Sequence, residues 1–424
     1  MKDKKFNQIT GCSSADVTMT SGRIKYYLLR SYSLNQIKFL KIIILILFIG
    51  FVLLSNAAYA GYYDHYSPAI WGIRDFFVPE KPGFYYAIYN YYYTSDDFLD
   101  ESGDSIDHFQ LDTSRSRTRN QQRIISTPYG NVTIDASASA NARLRANADI
   151  DLKFDNALIV PTAIYVSDWK ILGASYAAYL AVPFAYVRLE ADLDAQLKAD
   201  LGIDSTISFK GPGGGFIERN FTVPRSFSRD FHKEVDDSQF NISDICIQPI
   251  WLGWNKKHFS ASLAYALYAA TGKFDSNDID NTGMGFWTNQ FQAAGAWYPW
   301  ENKGTALTVT TTYELNSDMR DIDVTPGAHF TLNYGLSQFL PLNKKNTLLA
   351  EIGVKGYNSW QVSDDHGSDA TNTGVHDRVY GIGAQLGLTS VKYDASIVLN
   401  GTHQYQGLDI FEGDYIGINF AKKF

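Results

Sequence analysis

The stretch Thr305–Leu315, "TALTVTTTYEL", sorts its residues onto two faces: Leu307, Val309, Tyr313 and Leu315 on one, Thr308, Thr310, Thr312 and Glu314 on the other. A period of two belongs to a β-strand with one apolar and one wet side. The same alternation returns in "LLAEIGVKGY", where Leu348, Ala350, Ile352 and Val354 oppose Glu351 and Lys355. It is strictest in "ARLRANADIDLKF", where Leu144, Ala146, Ala148, Ile150, Leu152 and Phe154 alternate with Arg143, Arg145, Asn147, Asp149, Asp151 and Lys153. Beyond Gly83 no apolar run approaches the ~20 residues of a membrane-crossing helix. Two architectures remain: a soluble antiparallel sheet protein with one wet face, and a transmembrane barrel with a polar lumen.

The connections choose between them. Asn255–Lys257, Pro299–Gly304, Pro341–Asn346 and Thr389–Lys392 are short, whereas Ser95–Gln122, Ser205–Ser238, Gly272–Gly285, Asn316–Pro326, Gln361–His376 and His403–Glu412 are long and polar. Over the C-terminal two-thirds, short and long alternate. That is the layout of an outer-membrane barrel with short periplasmic turns and long extracellular loops. Aromatic residues, 15% of the chain, gather near strand ends at Tyr91–Tyr93, Trp251, Trp254 and Trp297–Trp300, as at a membrane–water boundary.

Nine strands follow from "ISDICIQPIWLGW" to Asp414–Phe424. Before them stand Phe84–Thr94 and two long tracts, about Ala142–Val166 and Ser175–Asp204, meeting at the turn-like "SDWKILGA". The expectation is an all-β, antiparallel transmembrane β-barrel of about 12 strands, two of them projecting as a ribbon. A turn inside each tract would make 14. An even count leaves both chain ends in the periplasm. Closure in lipid requires the first strand, "FYYAIYNYYYT", to pair with the last, "GDYIGINFAKKF". Its alternation ending on Phe424 resembles a signal read by the barrel-assembly machinery: Gly417, Phe420 and Phe424 fit that pattern, while Lys422 departs from it.

Residues 1–60 read as a signal peptide, with a start codon that lies further upstream than such peptides need. Lys38 and Lys41 precede the apolar run Ile42–Leu54, and Ala58 and Ala60 occupy the small-residue positions of a cleavage site. Removing the eight basic and two acidic residues of this segment from a chain of net charge −8 leaves about −14. Such acidity argues against nucleic acid as a partner. Cys12 departs with the signal, leaving Cys246 alone, which excludes a disulfide and a cysteine metal cluster.

"GIRDFFVPEKPGFYYAIYNYYYTSDDF" (Gly72–Phe98), "LGW" (Leu252–Trp254) and "LYAATGKFDSNDIDNTGMGFWT" (Leu267–Thr288) resemble the outer-membrane family named for the meta-pathway of phenol degradation. Ala270 departs from it, standing where many relatives carry proline. The resemblance implies a transporter barrel, distantly similar to long-chain fatty-acid outer-membrane transporters, in the outer membrane of a Gram-negative bacterium.

Catalytic chemistry finds little support, and an enzyme is not expected. The eight histidines are scattered, without an H-x-x-x-H pair, and no G-x-S-x-G elbow occurs. His329, on the polar face with Thr331 and Asn333, could be half of a Ser–His pair or one lumen residue among many. "GPGGG" (Gly211–Gly215) lacks a strand-to-helix context and reads as an external loop. "DSNDIDN" (Asp275–Asn281) lacks the glycine and terminal glutamate of an EF-hand. No cofactor and no metal is implied. The lumen candidates are Arg143, Arg145, Asp149, Asp151, Lys153, His329, Glu351 and Lys355. Gly61–Pro82, with Tyr62, Tyr63, Trp71, Arg74, Asp75 and Phe76, is either a plug inside the lumen or a periplasmic tether, ahead of a barrel spanning residues 84–424. Pro161, Pro183 and Pro249 fall within strands, where each marks a bulge, a break or a sideways gate.

These readings favour passive uptake of small hydrophobic, possibly aromatic, compounds across the outer membrane. The alternative is a surface-exposed adhesion protein anchored by its barrel, and the third reading an outer-membrane hydrolase. Expected partners are outer-membrane lipids, the assembly machinery and the hydrophobic solutes.

Overall fold

The computed structural model describes residues 64–424 apart from 129, 213, 277, 279, 371 and 372. The expected signal peptide, Tyr62 and Tyr63 lie outside the described residues. No described helix is long and apolar enough to cross a membrane, which says nothing of crossing by strands. Among the described residues, fifteen strands account for the fold. The first six are β1 (Gly83–Leu99), β2 (His108–Thr127), β3 (Gly130–Ile171), β4 (Ala174–Ala181), β5 (Phe184–Lys210) and β6 (Phe216–Ile242). Then come β7 (Ile245–Asn255), β8 (Phe259–Ala269), β9 (Thr288–Trp297), β10 (Thr305–Asn316) and β11 (His329–Pro341). The last are β12 (Leu348–Gln361), β13 (Arg378–Ser390), β14 (Ala395–Leu408) and β15 (Ile410–Lys423).

β1 is bonded to β15 on one side and to β3 on the other, and the path from β15 back through β7 and β4 to β3 is unbroken. The ring therefore closes with twelve strands and no edge in lipid. In β15, Ile416, Ile418 and Phe420 are exposed on the outside while Tyr415, Gly417 and Asn419 are buried within. Tyr91 lies opposite Gly417, and the Phe424 N–H donates to Phe84 O at 2.9 Å. β10 follows the two faces of its sequence, with Thr308, Thr310, Thr312 and Glu314 inward and Leu307, Val309 and Leu315 outward.

β2, β5, β6 and the first half of β3 stand outside the ring. They form a four-stranded sheet in the order β2-β3-β5-β6. β1 leaves β3 at Phe154, so the 24 residues of β3 before it run on as this sheet for roughly 80 Å. Ser95–Gln122 and Ser205–Ser238 were expected as loops. Most of both is strand, because their polar residues face water on an exposed sheet. Gly211 and Gly215 close the hairpin between β5 and β6, the Gly211 N–H donating to Gly215 O at 2.9 Å. The tract Ser175–Asp204 breaks at Val182–Pro183 into β4 and β5. His403–Glu412 is not a long loop either: the strands run up to a reversal at Asp409, which has φ +51°. At the opposite end Leu172 (φ +52°) and Gly173 (φ +78°) make the two-residue turn of a primed hairpin between β3 and β4.

Candidate functional site

The barrel lumen is occupied by the chain's own residues 64–79, and Glu80, Lys81 and Pro82 are exposed beyond it. His65 sits level with the extracellular ends of the strands. It bonds Thr288 Oγ1 at 2.8 Å and Asp244 Oδ2 at 3.0 Å, stacked on Tyr268 and edge-on to Phe286. Burial pushes the Asp244 carboxyl up, but His65 and the N–H groups of Met284 and Gly272 outweigh it and hold it below the ordinary carboxylate range. From there the segment descends. The first described residues thus lie at the end of the lumen away from Phe84 and Phe424.

Lumen side chains satisfy the segment's backbone. Lys355 Nζ donates to Ala69 O at 2.7 Å and Trp71 O at 2.8 Å, and Asn419 Nδ2 donates to Ile70 O at 2.7 Å. The Ile73 N–H donates to Gln385 Oε1 at 2.8 Å, and Ser262 Oγ to Phe76 O at 2.6 Å. Tyr66, fully buried, accepts from Asn333 Nδ2 at 2.8 Å. An irregular segment enclosed by a barrel has no water to bond, so the polar inward face supplies the partners its backbone requires. The lumen glycines have the same physical origin. A Cβ on Gly335 would meet Ile73 at 2.8 Å, one on Gly353 would collide with the end of Ile73, and one on Gly253 would meet Val78 at 2.6 Å.

Arg74 is the segment's main polar anchor. Its Nε donates to Glu351 Oε1 at 2.8 Å and Ser337 Oγ at 2.9 Å, while its other nitrogens reach Lys303 O and Gly304 O at the periplasmic turn between β9 and β10. Asp75 accepts from the Gly72 N–H at 2.8 Å; burial outweighs that bond and raises its carboxyl to about 6. Beside Trp71 and Phe76 a residual cavity of about 20 Å³ remains, room for one water molecule. Aromatic rings line the rest of the way. Trp71 lies 4.9 Å from Tyr89, Tyr93 lies 4.4 Å from Tyr415, and Phe154 stacks at 5.1 Å on Phe411. The inward Tyr91, Tyr93 and Trp251 are therefore lumen residues, whereas Tyr92, Trp297 and Trp300 are exposed.

Glu351, Lys355 and His329 are buried on the inward face. His329 bonds Asp377 at 3.2 Å and Gly327 O at 3.2 Å, and among the described residues no serine hydroxyl reaches it. Arg143, Arg145, Asp149, Asp151 and Lys153 are not in the lumen. They are exposed, on or at the base of the external sheet, with Arg143 paired to Asp112 and Arg145 to Asp200. Alternation alone cannot say which face turns inward. Here the apolar, even-numbered face of β3 is the one that continues into the lumen as Asn156, Val160, Thr162 and Ile164.

Pro161 lies opposite Ile88, and its carbonyl accepts the Val182 N–H at 3.1 Å. Pro183 occupies the break between β4 and β5, its carbonyl accepting the Ser243 N–H at 2.9 Å. Pro249 sits in a bulge of β7. In the acidic loop, Asn281 Nδ2 donates to Asp275 O and Asp278 O, and Lys273 pairs with Asp278.

Residues 130–420 match the model of the family described as "Putative MetA-pathway of phenol degradation". The chain belongs to this family. Its fold is shared with the COG4313 outer membrane channel from Pseudomonas putida F1, at TM-score 0.54 and 9% identity over 84% of this chain and 100% of that one. CdiB from Escherichia coli also aligns, at TM-score 0.28 and 11% identity, covering 82% of this chain and 64% of that one. OccD3 from Pseudomonas aeruginosa aligns at TM-score 0.27 and 7% identity, over 86% of this chain and 99% of that one. No curated protein matches. As a member of this family folded as a closed antiparallel barrel, the protein resides in the outer membrane.

Proposed function

We propose that the protein is an outer-membrane channel for uptake of small hydrophobic, in particular aromatic, compounds, and that the segment ending at Pro82 is its gate. The observation that carries this reading is the lumen itself. Tyr89, Tyr91, Tyr93, Tyr357 and Tyr415 surround the segment with ring faces, offering apolar surface to a solute and hydroxyls at its edges. Polar bonds hold the segment along its length, so a displacement that breaks a few of them opens a path lined by those rings. The similarity to a protein named an outer membrane channel supports the reading at the level of fold.

Release sideways into the bilayer is assigned to the Pro183 break. There β4 and β5 are discontinuous and the Ser243 N–H to Pro183 O bond bridges the seam to the chain between β6 and β7. Binding, orientation and exclusion of water need no energy source, since cargo partitions from water to rings to lipid. Assembly is assigned to the barrel-assembly machinery, reading Gly417, Phe420 and Phe424.

The deciding experiment is uptake of radiolabelled hydrophobic and hydrophilic solutes by cells lacking the protein. These are complemented with the full chain or with a chain from which residues 64–82 are deleted behind an intact signal. Hydrophobic uptake restored by the full chain supports transport, and a leak to every solute in the shortened form supports the gate. Uptake equal in all strains overturns both.

A further inference from the structure

The external sheet has two unlike faces. On one, the arginines are neutralised: Arg143 by Asp112, Arg145 by Asp200, and Arg188 by Asp236 and Glu190. The other has an apolar floor, with Ala136, Ala138, Ala140 and Ala142 of β3 opposite Ile207, Ser205, Ile203 and Leu201 of β5. β2 borders this floor with Arg115, Arg117, Arg119 and Arg123, and β6 borders it with Arg219, Phe221, Arg225 and Phe227. Among the described residues none of these six arginines has a carboxylate partner. A single row, Arg115–Ala142–Leu201–Arg225, crosses all four strands. The two guanidinium stems start roughly 14 Å apart, three strand spacings.

This face is also the one that enters the barrel. Its floor continues down β3 through Leu144, Ile150 and Leu152 to Phe154, which stacks on Phe411 and lies 6.0 Å from Tyr93 at the lumen mouth.

We propose that the basic-rimmed apolar face is a capture surface for organic anions with an apolar body, delivering them along β3 to the lumen. Its direction of travel rests on the channel reading; its binding chemistry does not. An alkane or neutral arene would need the floor but not the rims. An inorganic anion would need the rims but not the floor. A second copy of the sheet would set like charges against each other, which disfavours self-pairing. The carboxylate of an amphiphile takes an arginine in bidentate fashion while its apolar body lies on alanine, leucine and isoleucine.

The test uses the full chain in lipid nanodiscs and 1-pyrenebutanoate, with 1-pyrenebutanol as its uncharged counterpart, read by fluorescence anisotropy against empty nanodiscs. The expected result is preferential binding of the carboxylate, weakened about tenfold or more in R115Q/R117Q/R119Q and by raising the salt, since partly exposed ion pairs are individually weak and screened. A140E/A142E, which places carboxylates on the floor, is expected to abolish it, while S114A/S116A on the polar face leaves it unchanged. Heat-modified gel mobility confirms that each variant is a folded barrel. Equal affinity for acid and alcohol, or indifference to the arginine substitutions, overturns the proposal. So does a change confined to the variant's affinity for lipopolysaccharide vesicles, which would make the rims a phosphate-binding surface. Cellular uptake separates this proposal from the channel reading. Uptake of the alcohol with no carboxylate binding sinks the capture surface alone. Binding without uptake of either probe sinks the channel alone.

Discussion

Replacing Arg74 by alanine should unlatch the lumenal segment. The Arg74 side chain is 18% exposed and that of Glu351 5%, so this ion pair belongs with buried pairs rather than the surface kind worth at most about 1 kcal/mol. Removing one partner of a buried pair typically costs about 3–5 kcal/mol, because the other charge stays desolvated and alone. Arg74→Ala also orphans the carbonyls of Lys303 and Gly304. The cost falls on the docked state alone, since a departed segment lets water reach Glu351. At about 1.4 kcal/mol per factor of ten, the open population should rise by between roughly a hundredfold and a few thousandfold. Single-channel recording in planar bilayers would read this as long openings rare in the wild type. The double variant R74A/E351A, with no stranded carboxylate, should lie closer to wild type than R74A. Unchanged open probability in R74A, with a normally folded barrel, would refute the latch. A double variant as open as the single one would refute the argument from the buried charge.

Gly335→Ala should also displace the segment, because the new methyl would meet the γ-carbons of Ile73 at 2.8 and 2.9 Å; pairing it with Ile73→Ala should restore closure in the same recordings. The Asp75 carboxyl is raised from 3.8 to about 6, so the docked state holds its proton more tightly than the free segment. Its contribution to docking is therefore full below about pH 4 and lost as pH rises through 6, and D75N should flatten open probability across that window. Deleting Phe424 should slow assembly while leaving the assembled barrel's stability near wild type, since its ring is exposed and only its N–H joins the ladder; pulse-chase gel mobility distinguishes the two. A barrel that assembles at the normal rate would show that the terminal ring carries no signal.

Much of this was legible in the sequence. Alternation in Thr305–Leu315 and Leu348–Tyr357 gave the strands and their correct faces, because a strand in a barrel wall has lipid on one side and polar partners on the other. Counting the alternating tracts gave the twelve strands of the ring, and the ladder from Asp414 to Phe424 gave closure. These are local properties, set by a period of two and by the cost of unpaired backbone in lipid.

Other features escaped for a common reason. A free-standing amphipathic sheet alternates as strictly as a barrel wall, so Arg143, Arg145, Asp149, Asp151 and Lys153 read as lumen when they face water. Polar strands such as His108–Thr127 and Phe216–Ile242 look like loops until a partner is known. Gly253, Gly335 and Gly353 are ordinary strand glycines until Val78 and Ile73 lie against them, and Lys355 is one lysine among many until it meets two carbonyls some 280 residues earlier in the chain. By itself the sequence determined that this chain closes a barrel. Only the tertiary structure decided what fills it and which face of the external sheet leads in, because both depend on contacts between residues hundreds of positions apart, and no local period records them.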